Sequence, residues 1–187
     1  IMYDIRMNND EEENKSKPQQ IYQEHLGAIN SILFIDDNSK FVTSSDDKRM
    51  MIWEYGLPVV VNYIAEPDMY SSPYLSLHPN GKTFIAQSMN NSITTYGAAG
   101  HFKAIRNKLY QGHQNTGYAI QCGYSNDGKY IISGDANGSV YIWNSKTMKL
   151  QHQFQAHSQV TMGCLWHPYE TSRLVTSSWD GTIKYWQ

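Results

Sequence analysis

A histidine, a hydroxyl and a carboxylate, the three side-chain types of a catalytic triad, occur early in this sequence as His25, Thr43 and Asp47. An imidazole oriented by a carboxylate can take the proton of a hydroxyl and make it a nucleophile. The same types recur at the same spacing later in the chain, each time before a tryptophan, whereas an active site is made once and at an exposed cleft. The recurrence favours a structural role, and we predict that the chain is not an enzyme and has no catalytic residues.

The recurrence has a regular period. Trp53, Tyr96, Trp143 and Trp186 mark equivalent positions, so that successive markers are 43, 47 and 43 residues apart. Six positions before each tryptophan stands Asp or Asn, ten positions before it stands Thr or Ser, and each of these units opens with a histidine. The three sets are His25, Thr43, Asp47 and Trp53; His113, Ser133, Asn137 and Trp143; and His157, Thr176, Asp180 and Trp186. A period of about 40 to 45 residues is typical of the blades of a β-propeller.

Hydrogen bonding in series explains why these types belong together. A carboxylate can hold an imidazole, the imidazole can hold a hydroxyl, and the hydroxyl can accept the indole N–H, so that every buried polar group has a partner. Asn137 brings no charge, which predicts that its unit is held less firmly. The second unit has Tyr96, Asn90 and Ala86 at the three positions, and we predict that packing alone holds it.

Composition and turn residues predict an all-β chain. Hydrophobic residues make up 40% of it and aromatic residues 13%, with 14 Tyr and five Trp, and such side chains suit pleated, half-buried surfaces. Short strand-like runs alternate with turn signals such as Asp180-Gly181. A fourth strand per unit is expected just before the histidine, at residues 20–23, 108–111 and 150–155.

The spaced residues resemble the structural tetrad of WD-repeat β-propellers. The resemblance implies an all-β WD-repeat β-propeller, with about four blades from the C-terminal part of a ring that commonly has seven. We expect residues 1–6 to end a preceding blade and residues 7–18 to be a flexible polar insertion. Residues 19–187 would form four WD-type repeats, at 19–54, 60–97, 108–144 and 150–187.

Several classes of function have no support in the sequence. The net charge of −2 gives no global attraction to nucleic acid or membrane surfaces, and no apolar run is long enough to span a bilayer. Cys122 and Cys164 lie in apolar runs and are expected to be buried thiols. The dispersed histidines and the lack of phosphate-binding or nucleophile motifs predict no metal, no cofactor and no small-molecule substrate. Partners must be recognised by local surfaces.

One position per unit is a candidate for partner binding. In WD-repeat proteins the residue before the turn acid lies on the top rim of the ring, and the resemblance places Asp46, Met89, Ala136 and Trp179 there. An exposed tryptophan is costly unless it is covered, and tryptophan is favoured at binding hot spots. We predict Trp179 as the first partner contact, with Met89, Asp46 and Tyr70 after it.

A basic and aromatic segment raises the question of RNA. Lys103, Arg106 and Lys108 stand close to Phe102 and Tyr110, and such a mixture could contact RNA weakly by charge and stacking. The alternative is an ordinary solvated loop and strand.

Several strings carry a more specific resemblance: His25-Leu26-Gly27-Ala28-Ile29-Asn30, Ser45-Asp46-Asp47-Lys48, Tyr63-Ile64-Ala65-Glu66-Pro67, Gln87-Ser88-Met89, Ile132-Ser133-Gly134-Asp135 and Trp166-His167-Pro168. Together they resemble the C-terminal propeller of the pre-mRNA-processing factor 17 family. The resemblance implies a nuclear, non-catalytic scaffold of the spliceosome that acts around the second step of splicing and binds spliceosomal proteins. The competing hypothesis is a WD-repeat adaptor of another complex, in chromatin or a ubiquitin ligase.

Overall fold

The computed structural model describes residues 18–170 and 172–187, and these form strands joined by turns and loops. The strands are β1 (Ile29–Ile35), β2 (Lys40–Ser45), β3 (Met50–Glu54), β4 (Val60–Ile64), β5 (Tyr74–Leu77), β6 (Thr83–Ser88), β7 (Ser92–Gly97), β8 (Ala104–Gln111), β9 (Cys122–Tyr124), β10 (Tyr130–Gly134), β11 (Ser139–Asn144), β12 (Leu150–Gln155), β13 (Thr161–Trp166), β14 (Leu174–Ser178) and β15 (Ile183–Trp186). Within this part of the chain there is no helix long and apolar enough to cross a membrane.

The strands form four antiparallel sheets, each made from consecutive strands. We call them blade 1 (β1–β4), blade 2 (β5–β8), blade 3 (β9–β12) and blade 4 (β13–β15). Each blade is a meander whose first strand contacts the first strand of the next blade, as β1 does with β5. This architecture confirms the predicted all-β fold as part of a WD-type β-propeller.

Strand register gives every blade two faces. In blade 1, Phe34, Phe41, Trp53 and Val60 lie opposite one another across the four strands, and Val42 and Ile52 share the other side. Side chains of directly paired residues point to the same side of a sheet. We call the side bearing Trp53 the leading face and the side bearing Ile52 the trailing face.

Apolar packing between a trailing and a leading face joins each pair of blades. Ile52 and Val42 of blade 1 pack in one buried cluster with Phe84 and Tyr96 of blade 2. Blades 2 and 3 meet through a cluster that includes Ile93 and Trp143. Blades 3 and 4 meet through one built from Ile132, Val140, Ile142, Cys164, Trp166 and Leu174.

Large apolar side chains are exposed on the outer faces of the first and last blades. On the leading face of blade 1, Ile32 is 63% exposed and Phe34 44%. On the trailing face of blade 4, Leu165 is 72% exposed and Ile183 77%. These rows correspond to the packed rows of the inner blades, so both outer faces carry the apolar pattern of a blade joint.

The fourth strands are only partly where the sequence placed them. Those of blades 2 and 3 end at Gln111 and Gln155, as predicted, but residues 20–23 form no strand beyond an isolated bridge at Gln20. Tyr22 instead packs edge-on against Phe41 and Trp53, over the leading face of blade 1. The predicted end of a preceding blade at residues 1–6, and all but the last residue of the predicted insertion at 7–18, lie outside the described residues.

Candidate functional site

The first candidate set forms one hydrogen-bonded chain inside blade 1. The Trp53 indole N–H donates to Thr43 Oγ1 at 2.8 Å, Thr43 Oγ1 lies 2.7 Å from His25 Nε2, and His25 Nδ1 donates to Asp47 Oδ2 at 2.8 Å. Asp47 also accepts the backbone N–H groups of Leu26 and Arg49. The loop before β1, strands β2 and β3 and the turn between them are thereby tied together.

Blade 4 carries the same arrangement. Trp186 Nε1–H donates to Thr176 Oγ1 at 2.9 Å, and Thr176 Oγ1 lies 2.8 Å from His157 Nε2. His157 Nδ1 lies 3.0 Å from both Asp180 Oδ2 and Thr182 Oγ1. His157 is 1% exposed and Thr176 fully buried, so this hydroxyl has no access to a substrate.

The third set forms no such hydrogen-bonded chain, and its predicted tetrad is wrong, although the rings of His113 and Trp143 are in contact. Asn137 is exposed, and Trp143 Nε1–H donates to the Gln111 carbonyl instead of Ser133. The carboxylate of this blade stands two positions earlier, at Asp135, where it accepts the backbone N–H groups of Gln114 and Asn137 at 2.7 Å each. Asp135 therefore binds the backbone N–H of Gln114, the residue after the histidine, and makes no hydrogen bond to the His113 ring.

The His113 side chain is hydrogen-bonded to a side chain of blade 2. The Gln87 side chain of blade 2 is fully buried, and its Nε2 lies 2.9 Å from His113 Nε2 and 2.8 Å from Asn115 Oδ1. Asn115 Nδ2 donates to the Ser88 carbonyl, which fixes the orientation of the Asn115 amide. Gln87 therefore presents its N–H groups, and His113 Nε2 accepts. The prediction that packing alone holds the second blade is wrong, because a buried polar network joins blades 2 and 3.

The titratable groups of these sets have altered pKa values. Burial lowers the pKa of His113 to about 4, although Asp135 acts in the opposite direction. Partial burial acts to raise the pKa of Asp47, but the hydrogen bonds from His25 and from backbone N–H groups lower it overall. Hydrogen bonds from Thr182, Ser158 and His157 lower the pKa of Asp180. Burial raises the pKa of the free Cys122 and Cys164 thiols.

Trp179, which is exposed, and Tyr118, which is half-buried, form an aromatic pair. Trp179 lies in the turn between β14 and β15 and is 59% exposed. Its ring meets that of Tyr118, in the loop before β9, with centroids 5.0 Å apart and planes at 79°. Tyr118 was not singled out in the sequence, since nothing in the spacing shows which loop lies beside the turn of the next blade.

The other rim candidates lie in equivalent turns and loops. Asp46 is exposed in the β2–β3 turn and accepts a hydrogen bond from Asn30 Nδ2 at 2.7 Å. Tyr70 is 47% exposed, with the Lys48 ammonium 5.5 Å above its ring. Met89, in the turn between β6 and β7, is half-buried. Of these four residues, Trp179 presents the largest exposed apolar surface.

The basic segment lies on the outer strand of blade 2. Lys103 and Arg106 are exposed and Lys108 is half-buried. Phe102 and Tyr110 are 6% and 1% exposed, so neither ring of this segment is free to stack on a base.

Comparison with known proteins identifies the repeat and its relatives. The family model described as WD domain, G-beta repeat matches residues 16–54, 105–144 and 148–187. The chain is 49% identical over 167 residues to human pre-mRNA-processing factor 17, covering 89% of the chain and 29% of that protein. Identity is 34% to the Saccharomyces cerevisiae protein of the same name and 30% to mouse WD repeat-containing protein 25, with 88% of the chain covered in both. The chain spans about a third of the length of these relatives.

Proposed function

Because the chain belongs to the WD-repeat family, we propose that it is a non-catalytic scaffold, and specifically one that holds proteins of the spliceosome in the nucleus around the second step of splicing. The observation that carries the proposal is its 49% identity, over 89% of its length, to pre-mRNA-processing factor 17. The likeness spans blade 2 as well, where the sequence departs from the general WD pattern, and this supports kinship beyond the shared fold.

The state of the polar side chains supports a role without catalysis. Thr43 and Thr176, the hydroxyls beside a histidine and an acid, are 3% and 0% exposed. Each also accepts an indole N–H inside its blade, and this burial keeps a substrate away from both hydroxyls. A groove of about 310 Å³ lies against the leading face of blade 1, but apolar side chains such as Ile32 and Phe34 form most of its lining.

Protein partners would meet the end of the blades that carries the β2–β3 and β14–β15 turns. Trp179 and Tyr118 there offer aromatic area at low cost in side-chain entropy, the usual property of an interface hot spot. Asp46, Met89 and Tyr70 extend this surface over the tops of blades 1 and 2.

Replacement of Trp179 by alanine is expected to weaken recovery of splicing proteins from nuclear extract at least about tenfold, because a hot-spot residue contributes about 2 kcal/mol or more. The measurement is a pull-down with the full-length protein, followed by quantification of small nuclear RNAs and splicing proteins. Tyr169→Ala is the matched control, since Tyr169 is 90% exposed but lies in the β13–β14 loop, at the opposite end of blade 4.

The pull-down tests the spliceosomal role and the Trp179 contact separately. Recovery of splicing components by the wild type supports the scaffold, and a loss confined to the Trp179 variant supports the rim contact. A wild type that recovers no splicing components would contradict the spliceosomal role and favour an adaptor of another complex.

A further inference from the structure

A cluster of basic side chains lies at the outer edge of blade 2. We call it the basic patch: Lys82, His101, Lys103, Arg106 and Lys108. Residues 101–108 contain four basic side chains and no acidic one. Lys82 joins them from the β5–β6 turn, since the carbonyls of Lys82 and Lys103 accept the N–H groups of the adjacent residues Ala98 and Gly97.

A wide bulge in β8 presents this patch. Leu109 pairs with Thr94 and Ala104 pairs with Tyr96, so that four residues of β8 stand opposite Thr95 alone. A bulge bends its strand and directs side chains away from the sheet. Arg106 and Asn107, in the middle of the bulge, are both exposed.

The patch borders a groove between blades 1 and 2. The groove has a volume of about 390 Å³ and is lined by Asn62 and Glu66 on one side and by His101, Lys103 and Arg106 on the other. Elsewhere, Lys40, Lys129 and Arg173 each pair with a carboxylate within four residues. Within the described residues, no cation of the basic patch forms a salt bridge, and Glu66 is the single carboxylate that lines the groove.

An anionic chain with evenly spaced charges fits this surface better than a folded protein does. Lysine is depleted at protein interfaces, whereas cations dominate this side of the groove. Phe102 and Tyr110 of the segment are buried, but Tyr63, 65% exposed, lines the groove opposite the cations. A basic groove with an exposed ring is typical of sites that bind single-stranded nucleic acid. Contacts to phosphate need only cations and amide donors, and they carry no sequence information. Asn62 and Asn107 add amide donors beside the cations.

Resting on the proposed role in the spliceosome, we propose that the basic patch binds single-stranded RNA through its phosphates, without sequence preference, with Tyr63 as the ring of the groove on which a base can stack. Lys103, Arg106 and Lys108 make the main contacts, with His101 and Lys82 at the border. The single Glu66 carboxylate and the net charge of −2 keep the contact weak, so that protein partners set the position and the patch holds the strand.

The test is fluorescence anisotropy of the purified full chain with a labelled oligouridylate at 50 to 200 mM KCl. Three phosphate contacts predict a slope of log affinity against log salt of about −2. The triple variant Lys103→Gln/Arg106→Gln/Lys108→Gln should lose at least about tenfold in affinity at the lower salt, with a slope near zero. The matched control is Lys129→Gln/Lys146→Gln/Lys149→Gln, which removes three exposed cations of blade 3. This variant should bind RNA like the wild type. Thermal melting shows whether both variants fold.

Three results would overturn the proposal. One is an unchanged affinity in the triple variant, and another is an equal loss in the blade 3 variant. The third is tighter binding of a polyglutamate peptide than of RNA, lost in the triple variant, which would assign the patch to an acidic protein. The anisotropy assay contains no splicing proteins, so a negative result there would contradict RNA binding but not the spliceosomal role. Conversely, failure to recover splicing components from nuclear extract would contradict the spliceosomal role but not the affinity of the patch for RNA.

Discussion

Replacing Gly138 with alanine is expected to lower the free energy of unfolding by about 3 to 5 kcal/mol. Gly138 has a φ of +86°, in the turn between β10 and β11. A Cβ there would collide with the carbonyl oxygen of His157 and lie 2.6 Å from that of Gln159. Both carbonyls belong to the backbone that leads into blade 4, so the side chain cannot be accommodated by a rotamer change. Urea denaturation of the variant and the wild type measures the loss.

Gly181 provides the matched control. It occupies the same position of the turn in blade 4, five residues before the tryptophan, with a φ of +80°. No atom lies within 4 Å of its added Cβ. Gly181→Ala therefore bears only the cost of the left-handed backbone, about 1 kcal/mol. Equal losses in the two variants would show that the joint between blades 3 and 4 is not packed as described.

The joint between blades 2 and 3 is expected to weaken as the pH falls from 6.5 to 4. The His113 pKa is lowered to about 4 from 6.5, so the folded chain keeps this imidazole neutral where the unfolded chain takes up a proton. The contribution of neutral His113 to the free energy of unfolding is complete above about pH 6.5. It decreases between pH 6.5 and 4, because the unfolded state binds more protons there. By pH 4 the free energy of unfolding is expected to have fallen by about 3 kcal/mol.

Geometry explains why protonation is resisted. A proton on His113 Nε2 would face the Gln87 amide N–H, which Asn115 Oδ1 holds in place at 2.8 Å. Asp135 is the nearby carboxylate that favours the charged form of His113. The rings of Tyr141 and Trp143 pack against the His113 imidazole. In His113→Gln the decrease in stability between pH 6.5 and 4 should disappear, while His152→Gln, at an exposed position on β12, should retain it. Retention of the slope in His113→Gln would refute the assignment.

Repetition made the fold predictable from the sequence. A tryptophan every 43 to 47 residues, with a hydroxyl and an acid at fixed offsets, located blades 1 and 4 and the partners in their tetrads. The offsets are reliable there because strand pairing fixes them: Thr43 lies opposite Met51, two residues from Trp53, on adjacent strands. Local pairing of this kind is encoded within a single repeat.

Contacts between blades could not be predicted in the same way. Gln87 and His113 belong to different repeats, and no spacing rule relates them. Asp135 resembles a turn residue of no special role until the structure shows its buried carboxylate capping Gln114. The pairing of Trp179 with Tyr118 likewise depends on how two successive blades are rotated relative to one another. The sequence therefore identified the internal units of blades 1 and 4, but it predicted the same unit for blade 3 and missed that His113 is bonded across to blade 2.

In blades 1 and 4, histidine, hydroxyl, acid and indole act as one internal unit, and this supports the proposed role as a scaffold. A double-mutant cycle on His25→Ala and Thr43→Val measures how strongly two members of the unit are coupled, with urea denaturation as the readout and the cycle on His157 and Thr176 as a repeat. The described geometry predicts a coupling free energy of about 1 to 2 kcal/mol in both blades. Strictly additive losses, or loss of a turnover activity from either threonine variant while the fold is retained, would contradict it.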